Sequence, residues 1–246
     1  MQSFVSPIRC INYVSFLLFQ LKESIDGYLK NLPETAWPNF CLGNHDHSRI
    51  STRLGAQNVD AMNILLMMLP GTPFTYYGEE IGMTDGNGNA REAYRTPMQW
   101  TADANAGFTS GTPWLPVNSD SANINVASIK AEENSHIKIY EQLSELRETE
   151  TLLFGKVDMK VDGDVFVLSR VKKGNPGYVF INNFGDTESV VDVSELSHMA
   201  ERGTLTMIVP KSEAEDGLGV GSSMMTNEIT VQPKQALLVT FVPNFS

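Results

Sequence analysis

One group of residues able to do chemistry is the sequence Gly-Asn-His-Asp at 43–46, which follows a short apolar run. Asp46 places a carboxylate beside the imidazole of His45, and such a pair can hold sugar hydroxyls around a developing positive charge. The plainer interpretation is that Asp46 caps the next helix and His45 is a satisfied polar side chain. Spacing alone favours the plainer interpretation, because His-Asp pairs are common.

Two further groups follow along the chain. Glu79 and Glu80 end the sequence Tyr-Tyr-Gly-Glu-Glu at 76–80, and paired carboxylates suggest acid/base chemistry with pKa values pushed apart. Adjacent residues seldom face the same point, so we expect these two to hold a loop or cap a helix. Arg95 can hydrogen-bond a sugar or pair with a carboxylate. The presence of an arginine alone does not show which of these two roles it has.

The pattern around these residues predicts an α/β unit. Helical spacing at 22–32 and 59–69 alternates with short apolar runs at 37–43 and 73–77 that are typical of buried strands. This order of strand, helix and strand predicts parallel strands. In a barrel built of such units, chemistry belongs at the carboxyl ends of the strands, where the candidate residues lie.

A long segment at 82–128 separates this unit from a predicted charged amphipathic helix at 128–148. The segment is rich in small and polar residues, and Trp100, Phe108 and Trp114 stand in it as isolated aromatic anchors. Loops of this length in compact domains are usually functional or disordered, and buried-type aromatics favour an ordered, functional loop.

Beyond Leu153 the pattern changes to alternating strands separated by turn residues, which predicts an antiparallel β-sandwich. We therefore expect two domains, 1–152 and 153–246. The clearest strand segments are 165–168, 178–181, 205–209 and 236–241.

Composition excludes several classes of function. The formal net charge of −11 argues against a nucleic-acid partner, which requires a basic patch. Cys10 and Cys41 give no disulfide framework, Cys41 is expected to be a buried free thiol, and neither cysteine has metal-ligand spacing to a histidine. We expect no metal and no cofactor.

The apolar run at 11–19 is too short to span a membrane, and a buried strand is the preferred interpretation.

Five motifs, in order, resemble those of the α-glucosidases of glycoside hydrolase family 13, the α-amylase family. The resemblance begins near residue 24 and is strong to about residue 150. Beyond residue 150 it is mainly a resemblance of architecture, and residues 1–20 are atypical of the family. The motifs are Gly-Asn-His-Asp-His-Ser-Arg at 43–49, Leu-Pro-Gly-Thr-Pro-Phe-Thr-Tyr-Tyr-Gly-Glu-Glu-Ile-Gly-Met at 69–83, Arg-Thr-Pro-Met-Gln-Trp at 95–100, Asn-Ala-Gly-Phe at 105–108 and Pro-Trp-Leu-Pro-Val-Asn at 113–118.

The resemblance implies the C-terminal part of a (β/α)₈ TIM barrel followed by an antiparallel β-sandwich. Asp46 takes the role of transition-state stabiliser, and His45 and Arg95 contact the same sugar. The implied reaction is retaining hydrolysis of α-glucosidic bonds in maltose-like oligosaccharides. In the family, the nucleophilic Asp and general-acid Glu precede the segment that this chain matches. The 246 residues are therefore expected to be a fragment that is inactive alone.

Two alternatives stay open. The heavy subunits of heteromeric amino-acid transporters share this fold and resemble the chain at 70–83, although they tend to lose the His-Asp pair and the Arg that this chain retains. A membrane partner is expected only under that alternative. The sequence does not decide where the parent protein resides, and secretion and a membrane anchor at the cell exterior both stay open. The β domain could instead be a carbohydrate-binding module, but its aromatic residues fall at alternating strand positions that favour core packing. These aromatic residues are Phe166, Tyr178, Phe180, Phe184 and Phe241.

Overall fold

The computed structural model describes residues 14–210 and 219–245. Within these ranges the helices are α1 Val14–Asn31, α2 Ile50–Leu54, α3 Val59–Met68, α4 Ala90–Ala93, α5 Val126–Ala131, α6 His136–Arg147 and α7 Glu150–Phe154. The strands are β1 Asn39–Cys41, β2 Thr72–Phe74, β3 Lys156–Asp162, β4 Val165–Val171, β5 Gly177–Asn183, β6 Ser189–Val191, β7 Arg202–Val209, β8 Ser223–Met225, β9 Ile229–Val231 and β10 Ala236–Phe241.

The described residues form two compact units. The first unit takes the described residues that fall within Met1–Phe40, Ile64–Pro73 and Glu145–Ser246. The second unit consists of Cys41–Asn63 and Phe74–Ser144, and it contains all the candidate site residues.

The apolar run at 11–19 predicted a buried strand, but residues 14–19 are helical and belong to α1, so the prediction is wrong for them. The apolar residues continue into helical spacing, with Leu18, Leu21 and Ile25 buried on one face of α1. This periodicity outweighs the local β pattern, because a three-turn apolar stripe buries more surface than an isolated strand. Residues 11–13 lie outside the described ranges.

The predicted order of strand, helix and strand is confirmed by β1, α3 and β2. β1 and β2 form a two-stranded sheet, and the Thr72 amide donates to the Pro38 carbonyl at 2.9 Å. Every residue from 61 to 69 is buried, so α3 is a core helix. Its methionines, Met62, Met67 and Met68, fill the core.

Six antiparallel strands form the main sheet of the first unit, in the order β3-β4-β5-β10-β7-β8. Strands β6 and β9 form a second, two-stranded antiparallel sheet. One apolar cluster takes residues from both sheets, including Val167, Ile181, Leu237 and Val231. The strands predicted from the alternating segments are confirmed, and the five aromatic residues considered for sugar binding are buried.

The opposite face of the main sheet is buried as well, because β4 and β5 are buried at every position. Arg170 lies on this face and is fully buried. Its guanidinium donates to the carbonyl of Met68 at 2.7 Å and to those of Leu152 and Gly155 at 2.9 Å each. Arg170 thereby satisfies carbonyls at the ends of α3 and α7 that have no partner within their helices. Burial and the nearby charge of Arg147 lower the pKa of Arg170.

The segment at 82–128 is ordered, but not by the aromatic anchors that the sequence suggested. Trp100, Phe108 and Trp114 are 47%, 44% and 65% exposed, so the prediction of buried anchors is wrong. Buried amides hold the segment instead. Gln99 donates to the Asp120 carboxylate at 3.0 Å, and Asn118 donates to the Thr84 hydroxyl at 3.0 Å. Such groups must be paired when buried, and pairing them fixes the backbone around them.

The single charged helix predicted at 128–148 is two helices. Glu132 has extended backbone angles (φ −72°, ψ 141°) and ends α5, and α6 begins at His136. The residues in between include Asn134 and Ser135, which are of the types preferred at helix N-termini. Cys41 is half-buried rather than buried as predicted, and it is a free thiol; Cys10 lies outside the described ranges.

Candidate functional site

The three residues singled out in the sequence lie together in the second unit. Arg95 Nη2 is 3.0 Å from Asp46 Oδ1, and His45 Nε2 is 3.3 Å from Asp46 Oδ2. Arg95 Nε also donates to the His45 carbonyl at 2.9 Å. Each oxygen of the Asp46 carboxylate therefore faces a different partner. The Asp46 side chain remains 54% exposed, so a ligand can reach it.

Asp46 does not cap a helix. The N-cap position of α2 is Arg49, which makes no side-chain capping bond. Asp46 lies instead in a tight turn, where its amide donates to Asn44 Oδ1 at 2.8 Å. Asn44 and His47 form an antiparallel bridge across the turn. Asparagine favours such turns because its side chain binds the amide two residues later.

Two charged side chains hold the ends of this turn. Arg53 Nε donates to the Ser48 carbonyl at 2.8 Å, and its Nη2 donates to the Leu42 carbonyl. Asp85 Oδ1 accepts from the Arg49 amide at 2.7 Å, and Oδ2 accepts from the Ser48 hydroxyl. Both ends of the segment that carries Asp46 are therefore fixed by charge-assisted hydrogen bonds.

Two tyrosines fix the backbone that carries Arg95. The Tyr76 hydroxyl donates to the Tyr94 carbonyl at 3.1 Å, and the Tyr77 hydroxyl donates to the Thr96 carbonyl at 2.6 Å. The backbone is thus bound on both sides of Arg95.

A buried guanidinium joins the two tyrosines to the turn. The Arg49 guanidinium carbon lies 5.0 Å from the centroid of the Tyr76 ring and 4.7 Å from that of Tyr77, within the range of cation–π attraction. Arg49 Nη1 also donates to the Tyr77 carbonyl at 2.6 Å.

Glu79 and Glu80 bind the backbone of their own turn. Glu79 Oε2 accepts from the Tyr76 amide at 3.0 Å, and Glu80 Oε2 accepts from the Gly78 amide at 2.8 Å. Glu79 is only 3% exposed, and burial raises its pKa to about 8, against the Tyr76 amide and the Arg49 charge, which act to lower it. This geometry fits the structural role that the sequence predicted for the two glutamates.

The described part of the chain shows neither a cluster of metal ligands nor a membrane-spanning helix. Residues 14–210 and 219–245 contain no group of three or more His, Cys, Asp or Glu side chains arranged to hold a metal ion. None of the helices in these ranges is long and apolar enough to cross a membrane.

The supporting residues were missed in the sequence, although several lie inside the motifs. Arg49 ends the motif that contains Asp46, and Tyr76 and Tyr77 end a predicted strand. Their types signal hydrogen bonding, but the partners can lie far along the chain, as for Arg49 and Asp85, which are 36 residues apart. Only the folded chain shows which carbonyls they bind.

Comparisons with known proteins place the chain in a family. Residues 4–155 match the family described as Alpha amylase, catalytic domain. The match begins upstream of residue 24, where the motif resemblance was expected to start. The chain is 34% identical over 212 residues to an alpha-glucosidase of Culex pipiens, and 40% identical over 185 residues to the amino acid transporter heavy chain SLC3A1 of Rattus norvegicus.

These alignments cover 84% and 70% of this chain but only 37% and 27% of the respective relatives, so the chain spans about a third of their length. Among solved structures, trehalulose synthase MutB of Pseudomonas mesoacidophila MX-45 aligns with a TM-score of 0.77 at 24% identity, over 91% of this chain and 46% of that one. A mutant of MutB in complex with glucose aligns with the same TM-score and coverage at 26% identity. With well over half of its length matching the family's catalytic domain, the chain belongs to the alpha-amylase family, glycoside hydrolase family 13.

Proposed function

We propose that Asp46, His45 and Arg95 hold the glucosyl unit at the non-reducing end of an α-glucoside. The parent reaction is retaining hydrolysis of α-glucosidic bonds in maltose-like oligosaccharides. The observation that carries this proposal is the Asp46 carboxylate, which is oriented by a different group at each oxygen and yet is half exposed.

The chemistry of the carboxylate suits a sugar. A carboxylate has about four lone-pair sites, and Arg95 and His45 each occupy one of them. The remaining sites can accept hydrogen bonds from two hydroxyls of one ring. A fixed negative charge at this point also stabilises the positive charge that develops on the sugar in the transition state.

The 246 residues supply the sugar-holding part of the site but not the bond-breaking part. Retaining hydrolysis needs two carboxyl groups about 5 Å apart that flank the bond. Neither nearby glutamate is available, because Glu79 is buried and Glu80 binds the Gly78 amide. Our proposal is that the chain alone binds an α-glucoside without cleaving it.

The same proposal assigns the architecture. Residues 1–152 are the C-terminal part of a (β/α)₈ barrel, and residues 153–246 are a β-sandwich. The order of β1, α3 and β2 supports the first assignment. The apolar cluster shared by the six-stranded and two-stranded sheets supports the second.

The relatives support a sugar ligand. Maltase 1 of Drosophila virilis is 32% identical over 238 residues, and its alignment covers 87% of this chain and 37% of that protein. Together with the alpha-glucosidase of Culex pipiens, it makes an α-glucoside the substrate class to test first.

A second candidate function is that of a transporter heavy subunit, favoured by the 40% identity to the rat heavy chain SLC3A1. A membrane partner would belong to this candidate alone. The retained contact between Arg95 and Asp46 favours the first candidate, since a subunit that does not bind sugar has no need of an exposed, oriented carboxylate.

Calorimetric titration with methyl α-D-glucopyranoside separates the two candidates. The protein should bind this glucoside in preference to methyl β-D-galactopyranoside, and Asp46→Asn should abolish binding. Glu133→Gln is the matched control, since it removes one carboxylate charge from an exposed position in the same unit. Failure of the wild-type protein to bind the glucoside would favour the heavy-subunit function, and equal binding by Asp46→Asn would show that Asp46 is not the sugar-holding group.

A further inference from the structure

Tyr76 and Tyr77 hold the Arg95 segment from both sides, through the carbonyls of Tyr94 and Thr96. We propose that these two hydroxyls are the positioning groups of the site: they set the guanidinium of Arg95 and, through it, the carboxylate of Asp46. The inference rests on the proposed function, because it concerns the same sugar-holding site.

Consecutive residues of an extended chain point to opposite sides, so two adjacent side chains that reach neighbouring carbonyls need a special backbone. The two rings lie with centroids 4.6 Å apart and planes inclined at 57°. The Arg49 guanidinium is within 5.0 Å of both ring centroids and also binds the Tyr77 carbonyl. The rings are therefore held as a pair around one buried cation.

Gly78 makes this packing possible. It has φ 90°, in the left-handed region that glycine adopts without strain. A Cβ atom at this position would lie 2.8 Å from Arg49 Nη1 and 2.5 Å from Met83 Sδ. The chain can thus turn directly after Tyr77 while Arg49 stays against the backbone.

The contact between Arg95 and Asp46 needs such support. Their side chains are 28% and 54% exposed. In an ion pair this exposed to water, the electrostatic attraction alone does not offset the entropy lost when the two side chains are ordered. Binding the carbonyls on both sides of Arg95 removes backbone freedom before a ligand arrives, and a preorganised site binds more tightly. Burial raises the pKa of Tyr76 to about 12, so its hydroxyl remains a donor at neutral pH.

Three variants that remove only the hydroxyl groups test the proposal: Tyr76→Phe, Tyr77→Phe and the double variant. Each variant keeps its ring beside Arg49. Tyr140→Phe is the control, because Tyr140 belongs to the same unit and its hydroxyl bonds to Thr75, away from the Arg95 segment. The measurements are the affinity for methyl α-D-glucopyranoside and the ¹⁵N NMR signal of the Arg95 Nε–H group, which donates to the His45 carbonyl.

We expect the double variant to bind the glucoside about tenfold more weakly, since two hydrogen bonds to the segment are lost. We also expect the Arg95 Nε–H to exchange faster with water, and Tyr140→Phe to change neither property. An unchanged Arg95 signal with unchanged affinity would overturn the proposal, and so would equal losses in the control. If the wild-type protein binds no glucoside but the double variant still alters the Arg95 signal, the proposed function is wrong and the positioning of Arg95 is supported.

Discussion

Arg95 contacts both Asp46 and the preceding residue, His45. Its Nη2 lies 3.0 Å from Asp46 Oδ1, and its Nε donates to the His45 carbonyl at 2.9 Å. The planar guanidinium spans a side chain and a backbone group of the same turn. It therefore fixes the direction of the carboxylate as well as its charge environment.

Arg95→Lys should weaken glucoside binding about tenfold, because one ammonium group cannot reproduce both directed bonds. The melting temperature should change little, since the contact is exposed. Arg91→Lys, an exposed arginine of α4, is the matched control and should bind as the wild-type protein does. Calorimetric titration of the three proteins checks this, and full affinity in Arg95→Lys would exclude a directing role for the guanidinium.

Glu79→Gln should remove part of the pH dependence of stability. Burial raises the pKa of Glu79 from 4.5 to about 8, so the folded protein binds this proton more tightly than the unfolded chain. The resulting stabilisation is complete below about pH 4.5 and is lost as the pH rises through about 8. The slope between these values approaches about 1.4 kcal/mol per pH unit.

Urea unfolding at pH 6 and pH 9 measures this effect. The free energy of unfolding should fall more in the wild-type protein than in Glu79→Gln, and the variant should be the more stable of the two at pH 9. Glu133→Gln, at an exposed position, should follow the wild-type protein. Parallel curves for wild type and Glu79→Gln would mean that Glu79 is not protonated in the folded state.

Arg170→Met should lower the free energy of unfolding by about 2–4 kcal/mol. The change removes a hydrogen bond from each of three buried carbonyls, of which only that of Leu152 keeps another side-chain donor, Arg147 Nη1. This loss exceeds the gain from no longer burying a charge. Lys173→Met, an exposed change of similar size, should cost less than about 0.5 kcal/mol. Equal unfolding free energies for the two variants in urea would contradict the role given to Arg170.

The elements that sequence reasoning predicted well are those with strong periodicity. α3 and the strands β4, β5, β7 and β10 appear where apolar spacing placed them. The strand prediction failed at residues 14–19, because these residues belong to a helix that continues to Asn31.

The site was predictable in part, for a physical reason. Asp46, His45 and Arg95 are recognisable because their motifs resemble a known family, and the structure brings them together. The residues that hold them, such as Tyr76 and Asp85, act through backbone carbonyls and amides. Any residue supplies such groups, so no sequence pattern marks the partners.

The aromatic residues of the 82–128 segment show the opposite error, because their type suggested burial and they are exposed. Trp114 is large and apolar, and its type alone suggested burial, yet it is 65% exposed. The polar Gln99 is fully buried, and its amide nitrogen donates to the Asp120 carboxylate and the Ile124 carbonyl. Hydropathy does not report such hydrogen bonds, which allow a polar side chain to be buried.

We propose that these 246 residues hold an α-glucoside but do not cleave it. The most direct measurement is one NMR sample of the pure protein with 4-nitrophenyl α-D-glucopyranoside, in which saturation transfer and nitrophenol release are followed together. We predict saturation transfer to the glucosyl protons, its loss in Asp46→Asn, and no nitrophenol from either protein. Release of nitrophenol that Asp46→Asn abolishes, or the absence of saturation transfer in the wild-type protein, would contradict the account.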